Sequence, residues 1–141
     1  VTKSSVEATI EVDSLNTRVQ RRDEHLKGAD FFDAKKHPVM TFKSKKVEKA
    51  SEGALEVRGG LTIRGATREV VLAVSGLAAE AKDPWGKVKR GASATTTINR
   101  KDFGLTWNKA LETGGVLVGE EVAITIDLEL NKKAAPAVGA K

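Results

Sequence analysis

The chain has neither cysteine nor tyrosine, and aromatic residues make up only 4% of its 141 residues. Without cysteine it can form no disulfide and no metal site with thiolate ligands. No apolar run approaches the ~20 residues that a membrane-spanning helix requires. With so few aromatic rings, a base-stacking surface for nucleic acid is not expected.

Basic residues outnumber acidic ones, which gives a formal net charge of +5 with 30% of the residues charged. The lysine and arginine residues are spread over predicted turns and the polar faces of predicted strands, so a solvated basic surface is the favoured interpretation. The alternative is a protein that binds anionic membranes or nucleic acid through this charge. Such binding would depend steeply on salt concentration.

Apolar and polar residues alternate through most of the chain. The clearest runs have their apolar members at Val6, Ala8, Ile10 and Val12, at Leu55, Val57, Leu61 and Ile63, and at Val122, Ile124, Ile126, Leu128 and Leu130. Side chains of a strand point to opposite faces with period two, so each run predicts a strand with one dry face and one wet face. Because almost no helix is available to cover it, the dry face must pack on another sheet or curl onto itself.

Six strands are predicted, each bounded by turn-forming residues. They span 4–12, 39–47, 54–64, 68–79, 87–100 and 120–131. The fifth strand is built of small residues from Ala92 to Thr97, and small side chains on an inward face leave volume inside a barrel. The loop 64–67 between the third and fourth strands predicts a hairpin with Gly65 at a position that needs positive φ.

One short helix is predicted between the first and second strands. Thr17 and Gln20 have the spacing of a capping box, which predicts a helix over about 18–27, and Gly28 is a natural stop. Its apolar side consists only of Val19 and Leu26. Such a helix is expected to plug a barrel end rather than to cover a sheet.

These elements predict an all-β protein, an antiparallel barrel with one short helix, as a single domain over 1–131 followed by a disordered tail over 132–141. An open sheet of six such strands would have two unprotected edges. We therefore expect that a hairpin belonging before Val1 is missing or is supplied by another chain. A homodimer formed by strand exchange is one such arrangement.

Several motifs in one order carry a specific resemblance. They are Arg22-Asp23-Glu24-His25-Leu26, Phe31-Phe32-Asp33, His37-Pro38-Val39-Met40-Thr41-Phe42-Lys43-Ser44, Gly60-Leu61-Thr62-Ile63-Arg64-Gly65 and Ile98-Asn99-Arg100-Lys101-Asp102-Phe103-Gly104-Leu105. With these motifs the chain resembles the YceI-like family, the bacterial polyisoprenoid-binding proteins. The resemblance runs from about Ser4 to Leu130.

The resemblance implies a lipocalin-like, eight-stranded antiparallel barrel with a long isoprenoid chain in its interior. It implies non-catalytic binding, carriage or storage of a polyprenyl lipid or isoprenoid quinone, with no cofactor besides that ligand. It also implies a periplasmic or secreted protein, with a cytoplasmic location as the alternative. Transient contact with a membrane is an expectation from the basic surface. The usual N-terminal hairpin of the family, with a His-Ser pair and a further His, does not precede Val1 in this sequence.

The candidate ligand-binding residues are the apolar members of the alternating runs and their neighbours. They are Ile10, Phe42, Leu61, Ile63, Leu72, Val74, Phe103, Leu105, Val122, Ile124 and Ile126. A filled core is the alternative for these residues, as in other small barrels. The small residues of the fifth strand and the resemblance favour a cavity.

A catalytic alternative, an enzyme acting on a lipid head group, would use Asp23, His25 and His37. Asp23 and His25 are two positions apart on the predicted helix, so they do not share a face. The chain has only these two histidines and no further pattern of metal ligands. We therefore expect no metal site, and expect Arg22 and Asp23 to form hydrogen bonds that hold the helix to the barrel end.

Two further groups have a structural and a functional interpretation. Asn99, Arg100 and Asp102 are expected to organise the turn before Phe103, and the alternative is a contact between Arg100 and a ligand head group. The two tryptophans lie near predicted turns and are expected to pack at the barrel rim. The alternative for Trp85 or Trp107 is a place at a membrane interface.

Overall fold

The structure, a computed structural model, describes residues 5–51, 53–76, 81–82, 84–86, 88–112 and 114–131. The predicted tail over 132–141 lies outside these residues. The strands are β1 (Glu7–Glu11), β2 (Val39–Ser51), β3 (Ala54–Ile63), β4 (Ala66–Ser75), β5 (Ala81–Lys82), β6 (Val88–Asn99) and β7 (Glu121–Asn131). One α-helix, α1 (Gln20–Lys27), and two 3-10 helices, Val12–Ser14 and Arg100–Phe103, complete the elements.

All the strand pairs are antiparallel, and the sheet runs in the order β1-β2-β3-β4-β6-β7. The two-residue strand β5 also pairs with β6. The sheet forms a curled half-barrel with β1 and β7 at its two edges. This confirms the predicted all-β fold, and its six long strands are the six that the alternation predicts.

Strand bounds differ from the prediction where the backbone departs from regular pairing. A register shift between Ser44 and Lys46 makes a bulge in β2, and the strand continues to Ser51 instead of ending at 47. A bulge adds one residue to one strand and so shifts the alternation of apolar and polar residues by one position. A strict period of two therefore does not predict the part of β2 that follows the bulge. Ser44 and Val47 consequently both lie on the inner face.

The turn between β3 and β4 is shorter than predicted. Arg64 and Gly65 both have positive φ, 51° and 76°, and Ala66 already belongs to β4. Two such residues form the turn whose twist matches that of a hairpin. Gly65 therefore has the conformation that the sequence predicts, whereas the loop is two residues long rather than four.

The helix lies beyond one end of the sheet, because Glu11 at the end of β1 pairs with Val39 at the start of β2. Gly28 ends it as predicted, but the predicted capping box is wrong. The helix begins after Val19 and has no side-chain cap. Among the described residues, none of the helices is long and apolar enough to cross a membrane.

The core lies on the concave face of the sheet and continues under the second 3-10 helix. Its buried members are Phe31, Phe42, Val47, Val57, Leu61, Ile63, Val70, Ile98, Phe103 and Leu105. Phe103 is the most deeply buried large side chain, with 2% of its surface exposed. Leu26 of the helix packs against this cluster, so the helix caps the core from the end of the sheet.

A close backbone approach beside the bulge gives a stability prediction. A Cβ on Gly59 would lie 2.4 Å from the carbonyl oxygen of Lys43 and 2.8 Å from the Phe42 ring. Gly59→Ala should therefore lower the free energy of unfolding by about 3 kcal/mol, measured by urea denaturation.

Gly60→Ala is the matched control in the same strand. The nearest atom to its Cβ would be Cγ2 of Thr67 at 3.2 Å, the end of a side chain. We expect a change below about 1 kcal/mol. Equal effects of the two substitutions would contradict the steric explanation.

Candidate functional site

The predicted lining residues lie on one concave surface, but their exposure differs greatly. Five of them belong to the buried core: Phe42, Leu61, Ile63, Phe103 and Leu105. Leu72, Val74 and Ile124 are partly buried and pack against that core. Ile126 is half-buried on β7, in register with Ala94.

The remaining two, Ile10 and Val122, lie on the edge strands and are 41% and 38% exposed. Leu128 and Leu130 continue the same face of β7 and are 44% and 47% exposed. The concave face is thus well covered in the middle of the sheet and open along its edges.

Sequence reasoning placed Leu128 and Leu130 in the alternation but left them out of the lining. The register explains why they belong to it. Leu128 pairs with Ala92 and Ile126 pairs with Ala94, which is 3% exposed. Directly opposite residues of an antiparallel pair share a face, so Leu128 is on the concave side. The unbroken alternation from Val122 to Leu130 was the signal that could have found it.

Small side chains face this strip from β6. Ala92 and Ala94 lie opposite Leu128 and Ile126, respectively. An alanine across from a large apolar residue leaves the outer part of the larger side chain without a partner on that strand. The convex face of the same two strands is polar instead, with a hydrogen bond of 2.7 Å from the Ser93 hydroxyl to Asp127.

An aromatic cluster lies at the helical end of the sheet. The His25 ring makes edge-to-face contacts with Phe31 and Trp107, at centroid distances of 5.0 and 4.8 Å. Its Nε2 is 2.9 Å from Oδ2 of Asp30. Trp107 thus packs at the rim as predicted, whereas Trp85 is 82% exposed in the turn before β6.

Arg100 is buried, with 4% of its surface exposed, and it organises the turn after β6. Its guanidinium donates to the carbonyl oxygens of Gly119 at 2.7 Å, Leu105 at 2.5 Å and Val118 at 3.3 Å. The side chain of Asn99 caps the 3-10 helix by accepting from the backbone N–H of Lys101. The prediction that this turn is organised by these residues is confirmed for Asn99 and Arg100, and stays a prediction for Asp102.

Two charged residues of the helix, Arg22 and Asp23, bind the segment that leads into it. Asp23 accepts hydrogen bonds from the Thr17 hydroxyl and from the Thr17 backbone N–H, the latter at 2.8 Å. Arg22 donates to the Thr17 hydroxyl at 2.9 Å. Arg22 and Asp23 therefore fix the chain between β1 and the helix. The prediction that they hold the helix to the barrel end is wrong in the partner, because both side chains bind Thr17.

These contacts lower the pKa of Asp23 below its ordinary value of 3.8, with the Thr17 hydroxyl as the main cause. They also show that the three residues of the catalytic alternative have different surroundings. Asp23 is engaged by Thr17, His25 by Asp30, and the His37 ring lies against Gly65. Within the described ranges, no three histidine or acidic side chains are grouped as metal ligands.

The curled antiparallel sheet with an apolar concave face defines the class of a lipocalin-like barrel. The family model described as the YceI-like domain matches residues 1–130. The chain belongs to the YceI-like family, as the motif resemblance predicts.

Similar proteins extend beyond the matched segment. The UPF0312 protein of Ectopseudomonas mendocina is 40% identical over 103 residues, which are 73% of this chain and 53% of that protein. The chain spans about half the length of the first such relatives. A crystal structure of the Campylobacter jejuni YCEI protein has a TM-score of 0.80 and 36% identity, over 93% of this chain and 74% of that one. Burkholderia cenocepacia BcnA has a TM-score of 0.79 and 26% identity, over 92% and 76%, respectively.

The role of Arg100 leads to a prediction. Arg100→Met removes a buried cation and leaves the carbonyl groups of Leu105 and Gly119 without their side-chain donor, whereas that of Val118 keeps the Asn108 amide at 2.7 Å. We expect the free energy of unfolding to fall by about 3 kcal/mol, and Arg100→Lys to recover less than half of this, because an ammonium lacks the guanidinium fork. Urea denaturation measures both.

Lys101→Met is the control, since the neighbouring ion pair between Lys101 and Glu120 is exposed. Its loss should cost less than about 1 kcal/mol. Full recovery by Arg100→Lys would contradict the assignment of three carbonyl partners to the guanidinium.

The Thr17–Asp23 contact gives a pH prediction. The pKa of Asp23 is lower in the folded chain than in the unfolded chain, so the contact stabilises the fold above the unfolded pKa, and this is lost as the pH falls through the folded pKa. Thr17→Val should destabilise the protein most near neutral pH and least in acid. Thr17→Ser should preserve the wild-type profile.

NMR titration of the Asp23 carboxyl checks the cause directly. Its pKa should rise in Thr17→Val and stay low in Thr17→Ser. A Thr17→Val penalty that is equally large at acidic and neutral pH would show that the hydroxyl acts independently of the carboxylate.

Proposed function

We propose that the protein binds a long isoprenoid lipid, a polyprenyl chain or an isoprenoid quinone, on the concave face of the sheet and carries or stores it without chemistry. One observation supports this most strongly. Ile10 on β1, and Val122, Leu128 and Leu130 on β7, are 38–47% exposed, although they face the inside of the curl. An apolar surface of this kind is stabilised by whatever removes it from water.

The shape of this surface favours an extended chain over a compact ligand. The apolar strip on β7 runs from Val122 to Leu130, which is eight residue steps or about 26 Å of strand. No charged side chain alternates into it on that face, since Glu121, Asp127 and Glu129 point to the other side. A flexible apolar tail can follow such a strip along its length.

The energetics favour a tail of several units. Burying one five-carbon unit removes ~100 Å² from water, which is worth roughly 2.5 kcal/mol before any cost at ~25 cal/mol per Å². The ligand loses freedom of motion on binding, and this cost offsets much of the gain from burial, so a single unit would bind weakly. Several units in one continuous strip add their contributions while the cost of association is met once.

The sheet edges bear on how the tail is enclosed. β1 and β7 have no strand partner on their outer sides among the described residues. We propose that strands from polypeptide beyond the described residues, or from a second copy, pair there and close the barrel over the lipid. Family membership supports the barrel, and the periplasmic or secreted location stays a prediction from the resemblance.

Extraction of the protein after production in a bacterial host tests the proposal. Organic solvent should release an isoprenoid lipid that mass spectrometry identifies, in an amount approaching that of the protein. Delipidated protein should bind added long-chain polyprenyl quinone again. Protein that yields no lipid and does not bind the added quinone would overturn the proposal.

A substitution on the open strip separates binding from folding. Leu128→Lys places a charge on the concave face at a side chain that is already 44% exposed, so its cost in stability should stay below about 1.5 kcal/mol. It should weaken binding of the polyprenyl quinone at least about tenfold, because an ammonium would lie against the tail.

Thr125→Lys is the matched control on the same strand. Thr125 is exposed on the convex face, opposite Thr95. The Thr125→Lys variant should bind the polyprenyl quinone as tightly as the wild type does. Equal loss of binding in the two variants, or in neither, would remove the concave strip from the site.

A further inference from the structure

A small hairpin stands at the helical end of the sheet, between the second 3-10 helix and β7. Its two arms meet in an antiparallel bridge between Ala110 and Val116. Beside this bridge, the Leu117 N–H donates to the carbonyl oxygen of Lys109 at 2.9 Å. The segment is called the 108–118 hairpin below.

The base of the 108–118 hairpin is fixed by side chains. The Asn108 amide donates to the carbonyl oxygen of Val118 at 2.7 Å, and its own oxygen accepts from the Val118 N–H at 2.9 Å. Arg100 donates to the same carbonyl oxygen at 3.3 Å. The Trp107 ring, next in sequence to the base, packs against His25 at 4.8 Å. These contacts determine where the tip of the hairpin stands relative to the sheet.

The tip of the hairpin is apolar and exposed. Leu111, Val116 and Leu117 have 41%, 55% and 56% of their surfaces exposed. A Cβ added to Gly114 or Gly115 would have no atom of the described chain within 4 Å, so the tip stands clear of the sheet. Neighbouring exposed apolar side chains of this kind mark a surface that contacts a protein or a membrane.

Apolar side chains lie on both faces of this tip. Val116 shares a face with Ala110, because directly opposite residues of an antiparallel pair do so. Leu117 follows Val116 and points to the other face, as does Leu111, whose N–H donates to the Gly115 carbonyl oxygen at 3.1 Å. A groove on a partner protein contacts mainly one face of a hairpin, whereas a lipid surface surrounds a tip that enters it. The two-sided distribution therefore favours a lipid surface.

The charges of the hairpin favour neither anionic nor zwitterionic lipid. Lys109 and Glu112 are its two charged residues, so its net charge is zero. Lys109 lies opposite Leu117, and its long apolar stem allows the ammonium to stay among the head groups. Glu112 belongs to the turn itself, and the cost of removing its carboxylate from water limits how deeply the tip enters.

We propose that the 108–118 hairpin docks the protein on a lipid bilayer, with Leu111, Val116 and Leu117 at the boundary of head groups and acyl chains. The apolar strip of β7 begins at Val122, four residues after Val118, so docking would hold one end of the strip beside the bilayer. The inference goes beyond the proposed function, because the docking surface does not depend on what the strip binds.

Co-sedimentation with phosphatidylcholine vesicles tests the docking surface. The double variant Val116→Ser and Leu117→Gln removes apolar surface without changing the charge. It should partition onto the vesicles at least about tenfold more weakly than the wild type, because both side chains enter the lipid in the docked state. Urea denaturation shows that the variant is folded. Wild-type partition of the double variant would overturn the proposal.

Trp85→Ser is the control at the opposite end of the sheet. Trp85 is 82% exposed in the turn before β6, whereas β6 reaches the helical end at Asn99. Tryptophan is enriched at membrane interfaces, so this variant reports which end of the sheet docks. It should partition like the wild type. Loss of partition in Trp85→Ser, with the hairpin variant unaffected, would place the contact at the other end and overturn the proposal.

Glu112→Gln and added salt test how the tip binds. Glu112→Gln should strengthen partition about threefold, because it removes the charge that opposes entry. Raising the salt concentration should change wild-type partition by less than about twofold, since the contact is apolar. Partition that requires anionic lipid and disappears at high salt would assign the contact to the basic surface and contradict the docking hairpin.

Sedimentation velocity without lipid separates the bilayer from a second copy as the partner. The wild type and the double variant should sediment alike. Self-association of the wild type that the double variant abolishes would assign the tip to a second copy and overturn the proposal.

Binding of the long-chain polyprenyl quinone separates the docking surface from the proposed function. The double variant should bind the quinone like the wild type, because the tip lies outside the β7 strip. If the quinone binds but the double variant still partitions like the wild type, the docking surface is wrong and the proposed function stands. If the quinone does not bind but the double variant loses the vesicles, the proposed function fails and the docking surface stands.

Discussion

A sheet that must cover its own apolar face is the constraint on which this structure depends. The strands alternate with period two, and the only α-helix among the described residues lies beyond one end of the sheet, where it contributes Leu26 to the core. The sheet therefore curls, so that β2, β3 and β4 bury one another's apolar side chains. The same curl leaves the edge strands, β1 and β7, with apolar residues that face inward and yet remain partly exposed.

The two ends of the sheet are built differently. At the helical end, Phe103 and Leu105 fill the interior, and Arg100 fixes the surrounding loop through three carbonyl oxygens. Toward the far end of β7, Leu128 and Leu130 have no comparable neighbours and are 44% and 47% exposed. A filled core and an open apolar strip thus coexist on one face. The interior is therefore filled against β2, β3 and β4 and open against the far end of β7.

The alternation predicted the strands and their faces well, because a period of two is a local property of the sequence. Features set by contacts distant in sequence were beyond its reach. The bulge after Ser44 depends on the close approach of Gly59, and the short pairing of β4 with β6, from Ala73 to Ser75, depends on where the two strands diverge. Thr17 has the spacing of a capping box, yet its hydroxyl donates to the Asp23 carboxylate instead of capping the helix. The sequence spacing does not show which of these contacts the hydroxyl makes.

For the candidate site, the sequence predicted which residues lie on the concave face, but not which of them are buried and which are exposed. Phe42 and Ile10 follow the same pattern, and only their places in the sheet, central and edge, make one core and the other exposed. Arg100 was correctly assigned to its turn from its place before Phe103. Its three carbonyl partners could not be named, because two of them come from the loop that precedes β7.

The central claim is that an isoprenoid tail lies along the concave face of β7. Paramagnetic broadening from a polyprenyl lipid that carries a spin label at the end of its tail measures this directly on the methyl groups of the protein. The account predicts strong broadening at Ile126, Leu128 and Leu130 and little at Val71, which lies on the convex side. Broadening confined to convex methyl groups, with the β7 strip unaffected by bound lipid, would contradict it.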